Sequence, residues 1–201
     1  MRPPVTLFSF GMRAVSLFIV LMVVWMQVST WTSYPAASLA KSVLDNYAKD
    51  WIRSTQYLPD KLVATTKFQK AISASAIASV TTEVVVSRYT YGTVLFVSLI
   101  IASGSRQLLR RILAGYAILL IPQAFSLAFI LLGQILMSIR LDLLVISSFQ
   151  ADATSACYTF GILVLPTLAP VALWLWFEQK FCVTIIGAWT SGVDKKAYDS
   201  N

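Results

Sequence analysis

Residues 157–180, CYTFGILVLPTLAPVALWLWFEQK, restrict the possible folds more than any other stretch. From Cys157 to Phe177 there is no charge, Pro166 and Pro170 stand four positions apart, and a run of aromatics leads into Glu178 and Lys180. About 20 apolar residues cover a hydrocarbon core of roughly 30 Å. Aromatic side chains collect at the headgroups, and a lysine just beyond them suits the cytoplasmic side. Proline inside such a helix is tolerated where neighbours or waters satisfy the carbonyls it frees. Pro166 and Pro170 share a face, so this span is expected to bend against companion helices.

The rest of the chain reads as those companions. Of its 201 residues 57% are hydrophobic and 12% charged, with a mean hydropathy of +0.72, far from soluble composition. The net charge of +7 flanks apolar segments and forms no continuous patch, so it reads as membrane topology and not as nucleic-acid binding. The sequence has no histidine, which removes the commonest general base and metal ligand.

Arg2 and Arg13 precede a charge-free run, 14–31, just long enough to span and oriented with the N-terminus in the cytoplasm. The rival reading is a cleaved signal peptide with Ser38 and Ala40 near the cut. The apolar run exceeds a usual signal core, and the cut would lie well past its end, so an uncleaved anchor is expected. Residues 32–88 turn polar and are the one stretch large enough for a domain outside the membrane. Leu39, Val43, Leu44, Tyr47 and Trp51 recur at helical spacing, with Lys41, Asp45, Lys49 and Arg53 on another face, predicting an amphipathic helix over 36–53. Its apolar stripe would lie on the membrane surface or, as favoured here, against the rest of the domain. Pro59 and Asp60 mark a turn. Beyond it 61–68 and 81–88 read as short strands, while 73–80 is open to a helix.

The second span is expected over 89–105, and the connector after it carries Arg106, Arg110 and Arg111, which places it in the cytoplasm. The third apolar run, 112–139, would reach about 42 Å as one helix. It must therefore tilt, bend at Pro122 or project beyond the bilayer. Arg140 and Asp142 mark its outer end, and 143–149 reads as an interfacial or re-entrant piece before the fourth span.

Few residues offer chemistry. Gln123 and Gln134 share a face of the third span, and amides in hydrocarbon need partners, so a contact between helices is expected. No acidic or basic residue falls within the four cores, which argues against a pump or a proton-coupled transporter. Cys157 is the one plausible nucleophile, yet no histidine is present to activate it. Cys157 and Cys182 are too far apart along a helix to pair, and neither belongs to a metal-ligand cluster. Arg106, Arg110 and Arg111 are candidates for anionic lipid headgroups, against plain orientation by positive charge.

Tyr91-Gly92, the basic connector 106–111, Pro122-Gln123-Ala124, and Leu165-Pro166-Thr167-Leu168-Ala169-Pro170 followed by Trp174, Trp176 and Lys180 together carry a resemblance. Over residues 61–182 the chain resembles the small four-span membrane proteins associated with exosortase H, a membrane-embedded sorting transpeptidase of Gram-negative bacteria. The family's asparagine-proline pair at the entry to the second span is replaced here by Ser87-Arg88. The resemblance implies a non-catalytic accessory protein of the inner membrane. Exosortases use cysteine, arginine and histidine, so a chain without histidine is not the enzyme.

The expectation is an α-helical integral membrane protein with four transmembrane helices and a small α+β extracytoplasmic domain between helices 1 and 2. Its parts are 1–31 (cytoplasmic end and first helix), 32–88 (outer domain), 89–180 (helices 2–4) and 181–201 (cytoplasmic tail). Tyr91, Gln123, Gln134, Pro166, Pro170 and Trp174 are the expected partner or packing contacts. No cofactor, metal or nucleic acid is expected. Membrane lipids and another integral membrane protein are the expected partners, either the sorting enzyme or, alternatively, a larger secretion, pilus or respiratory assembly.

Overall fold

The computed structural model describes residues 7–73, 76–105, 107–138, 148–184 and 187. The first helix, α1 (Leu7–Tyr47), runs unbroken for 41 residues, about 60 Å. The anticipated span and the separate helix over 36–53 are therefore one element, ending at Tyr47. Pro35 lies inside it and has no N–H for the carbonyl four residues back. Neighbouring phenols support that loosened turn: Tyr57 donates to the Thr30 carbonyl at 3.1 Å and Tyr116 to that of Thr32 at 2.7 Å. The buried stripe also differs from the expected one. Ala36, Ala37, Ala40 and Leu44 face inward, while Leu39, Val43 and Tyr47 are exposed. Small side chains let the helix axis approach its neighbours, and the larger residues are left outside.

A three-stranded antiparallel sheet follows in the order β1-β2-β3, from β1 (Ile52–Leu58), β2 (Lys61–Ser73) and β3 (Ala76–Val85). β1 lies outside the two expected strands, and the reason is local. A bulge leaves Arg53 out of the ladder, pairing Ile52 with Thr66 and Ser54 with Thr65. The buried residues of β1 are therefore Ile52 and Thr55, three apart, a spacing that hides the period-two signal. Residues 76–80 are strand, not helix, and β2 and β3 both extend into the small-residue stretch between the two expected strands. The turn at Pro59-Asp60 stands as expected, with Asp60 in the left-handed region at φ 59°. Its carboxylate accepts from the Ser87 backbone N–H (3.0 Å) and hydroxyl (2.6 Å), tying the hairpin to the next helix.

That helix is short. α2 (Ser87–Thr90) and α3 (Gly92–Ala102) are separated at Tyr91, so the second expected span is broken, and α3 alone has 11 residues. α4 (Leu108–Ser138) has 31 residues and contains Arg110 and Arg111 in its first turn, where a connector was anticipated. The fourth expected span is two helices, α5 (Ser148–Leu163) and α6 (Leu165–Phe177), meeting at 63°. The break falls at Val164, just before Pro166 enters the first turn of α6, because that proline has no N–H for the Ile162 carbonyl and its ring crowds it. By length and apolarity α1 and α4 qualify as membrane spans, and the α5–α6 pair makes a third if it is one span. Residues 139–147, including Arg140 and Asp142, lie outside the described residues, as do Arg106 and most of the tail.

The elements pack in two layers that share α1 and α4. In one, Ala36, Ala40 and Leu44 of α1 meet Leu62, Ala64 and Val84 of the sheet and Leu127, Leu131 and Ile135 of α4. In the other, Phe96 and Ile100 of α3 meet Leu119 of α4 and Leu173 of α6, and Phe10 and Ala14 of α1 meet Ala102.

Candidate functional site

The two layers meet at a polar seam. Ser33 of α1 and Thr90 of α2 share a buried hydroxyl hydrogen bond of 2.6 Å. Thr90 also donates back to the Val86 carbonyl at 3.2 Å. From α4, the Gln123 amide donates to the Thr93 hydroxyl at 2.9 Å and to the Thr90 carbonyl at 3.4 Å. Both acceptors flank the break at Tyr91, where the helical backbone is interrupted. Such side-chain bonds between helices each contribute on the order of 0.6–2 kcal/mol in apolar surroundings.

Directly beside the seam, Gly92 lies against α6. A Cβ at that position would come within 2.6 Å of the Pro166 carbonyl oxygen and 3.3 Å of the Pro170 ring. No side chain fits there, so the glycine sets the distance between α3 and α6. Tyr91-Gly92, Pro122-Gln123 and the stretch from Leu165 to Pro170 are remote in sequence, yet all three converge at this joint.

The other anticipated residues lie apart from it. Gln134 is half-buried on α4 in the sheet-containing layer. Trp174 is half-buried in the opposite layer, stacked on Phe10 with ring centroids 5.5 Å apart, and Phe10 meets Phe181 edge-on at 5.2 Å. Arg110 is exposed. Arg111 forms an ion pair with Glu178, joining the start of α4 to the end of α6. The Glu178 side chain is only 10% exposed, and a carboxylate so enclosed needs its cation. Cys157 and Cys182 are both free thiols.

Ser33, Thr90 and Thr93 were not among the expected contacts, and Glu178 was expected only as the flank of the fourth span, without its ion pair. Glu178 had a visible signal, being the lone acid between Asp152 and Asp194. The three hydroxyls had none, because serine and threonine are common in apolar helices and only the fold brings these together.

The surface around the joint is unevenly covered. In the most apolar window of α1 only 11% of residues are buried, against 61% in that of α4. Val15, Ile19, Val20, Val23 and Val24 all face outward from α1.

No curated protein and no solved structure matches the chain. A family model does, over residues 4–181, which adds the whole of α1 to the stretch that carried the resemblance. With a match over most of its length, the chain belongs to the exosortase H-associated membrane protein family.

Proposed function

We propose that this protein is a non-catalytic accessory subunit that works beside the exosortase in the bacterial inner membrane. It crosses the bilayer four times, through the first half of α1, α2–α3, the first half of α4, and α6 with its bent neighbour α5. Both termini are cytoplasmic, and the sheet lies outside with the second halves of α1 and α4. Arg106, Arg110 and Arg111 then face anionic headgroups on the cytoplasmic side, with Arg111 sharing its charge with Glu178. The joint at Tyr91, Gln123, Pro166 and Pro170 fixes how α1 is presented, and Trp174 steadies the N-terminal end of α1 through Phe10.

The observation that carries this reading is the uncovered valine-rich face of α1. A helix at the margin of its own bundle, buried over only 11% of its apolar window, offers its length to lipid or to a partner's helix. Helices associate in lipid by close packing and polar contacts, and the small, β-branched side chains of this face suit close approach.

Co-purification in mild detergent tests the reading. Tagged protein should bring down the exosortase, and Val20→Trp with Val24→Trp, bulky changes at exposed positions, should abolish the association while the protein itself stays folded. A chain that purifies alone, or an association indifferent to that face, would count against it.

A further inference from the structure

A groove of about 500 Å³ runs between the last turns of α1 and the start of β1. Lys41, Lys49, Arg53 and Lys67 line it with Asp45 as its one acid, a net charge of +3. All four cations are exposed, and among the described residues none is ion-paired. Elsewhere on the sheet the pattern differs, since Lys61 is answered by Glu83 at 2.8 Å. Like charges gathered in one concavity raise the local potential and attract an opposite charge.

The lining also shows what shape of ligand fits. Residues 52–55 line the groove consecutively. The bulge at Arg53 breaks the usual alternation of a strand, and Lys67 of the paired strand β2 completes the lining, so the groove lies over the start of the β1–β2 ladder, at the margin of the sheet. β1 is the outer strand of the sheet, and such an edge presents backbone groups able to pair with another extended chain. The bulge at Arg53 takes that residue out of the ladder beside the groove. Thr55, only 4% exposed, also lines it, and its hydroxyl has no hydrogen-bond partner among the described residues.

We infer that this groove docks an extended, acidic segment of an extracytoplasmic polypeptide, which adds to the edge of β1 while its carboxylates meet Lys41, Lys49, Arg53 and Lys67. A strand edge calls for a backbone partner, which favours a polypeptide over a lipid headgroup or a free phosphate. Position agrees. Lys41 lies ten residues along α1 beyond Trp31, the end of the expected first span, about 15 Å, on the side away from the proposed bilayer.

The test uses the full chain alone, in nanodiscs of zwitterionic lipid, so its outcome is independent of whether the exosortase binds. The probe is a short fluorescent peptide alternating glutamate and valine, read by anisotropy. Saturable binding is expected, weakened by about tenfold or more in Lys49→Glu with Lys67→Glu, and lost when alternate peptide nitrogens are methylated. Both lysines are exposed, so the fold should survive, and a melting curve checks this. Lys41→Glu provides an independent variant. Any of four results would overturn the inference: no binding, equal binding of a lysine-valine peptide, undiminished binding of the methylated peptide, or displacement by phosphatidylglycerol vesicles or inorganic phosphate at matched charge.

Discussion

Before Pro122, Leu119 of α4 packs among helices, against Phe96, Ile100 and Leu173. After it, the same helix packs under a sheet, with Leu127, Leu131 and Ile135 against Ala36, Leu44, Leu62 and Val84. The side chains on the two halves are alike, but on the proposed placement their surroundings are not. On that placement the sheet-containing layer would stand in water, where burial of apolar surface drives packing. The other layer would stand in lipid, where leucine gains nothing by leaving a medium as apolar as itself, so that close fit and interhelical hydrogen bonds would hold it. The positions of the special residues agree with this division. The glycine that permits contact with a proline carbonyl, the Gln123 amide and the Arg111–Glu178 pair all belong to the seam or the lipid layer.

The largest effect should come from the water-facing core. Leu131→Ala removes a fully buried side chain and is expected to cost about 2–5 kcal/mol. Thermal melting in detergent measures it, and the loss should change little with detergent chain length. A smaller loss, on the order of 1–3 kcal/mol from overpacking, is expected for Gly92→Ala, whose new methyl would press on the Pro166 carbonyl. That defect belongs to the lipid layer and should vary with bilayer thickness. If the two variants respond alike to the surrounding lipid, the contrast between the layers fails.

How much of this was legible in the sequence depended on whether the signal was local. Charge-free runs marked α1, α4 and α6, because an apolar helix needs no information from elsewhere in the chain. The turn at Pro59-Asp60 was legible for the same reason. β1 was not, since the bulge at Arg53 shifts its buried positions from two apart to three. The inward face of α1 was misjudged because its alanines, Ala36, Ala37 and Ala40, are inconspicuous beside Leu39 and Val43. Their value is closeness to α4 and the sheet, which only tertiary structure reveals. The two prolines of α6 foretold a bend, and it falls at Val164, two residues before the first of them.

The smallest expected effect sharpens the border between the layers. Burial, together with the nearby Asp60 charge, raises the Tyr57 phenol above its ordinary value. Its neutral form, which donates to the Thr30 carbonyl beside Pro35, is thus favoured in the folded protein. The resulting stability is complete below the ordinary tyrosine value of about 10 and is lost as pH rises through the raised one. Melting compared at about pH 8 and about pH 11 should show a fall that Tyr57→Phe reduces. An unchanged fall in that variant would remove Tyr57 from the border.

Sidedness is the most direct test of the division itself. In a background carrying Cys157→Ser and Cys182→Ser, a single cysteine is placed at Gln56 on β1 or at Gln107 before α4, both exposed positions. A membrane-impermeant maleimide applied to intact spheroplasts should label Gln56→Cys at once and Gln107→Cys only after lysis. Equal labelling of both before lysis, or the reverse order, would contradict the placement of the two layers on which the proposed function rests.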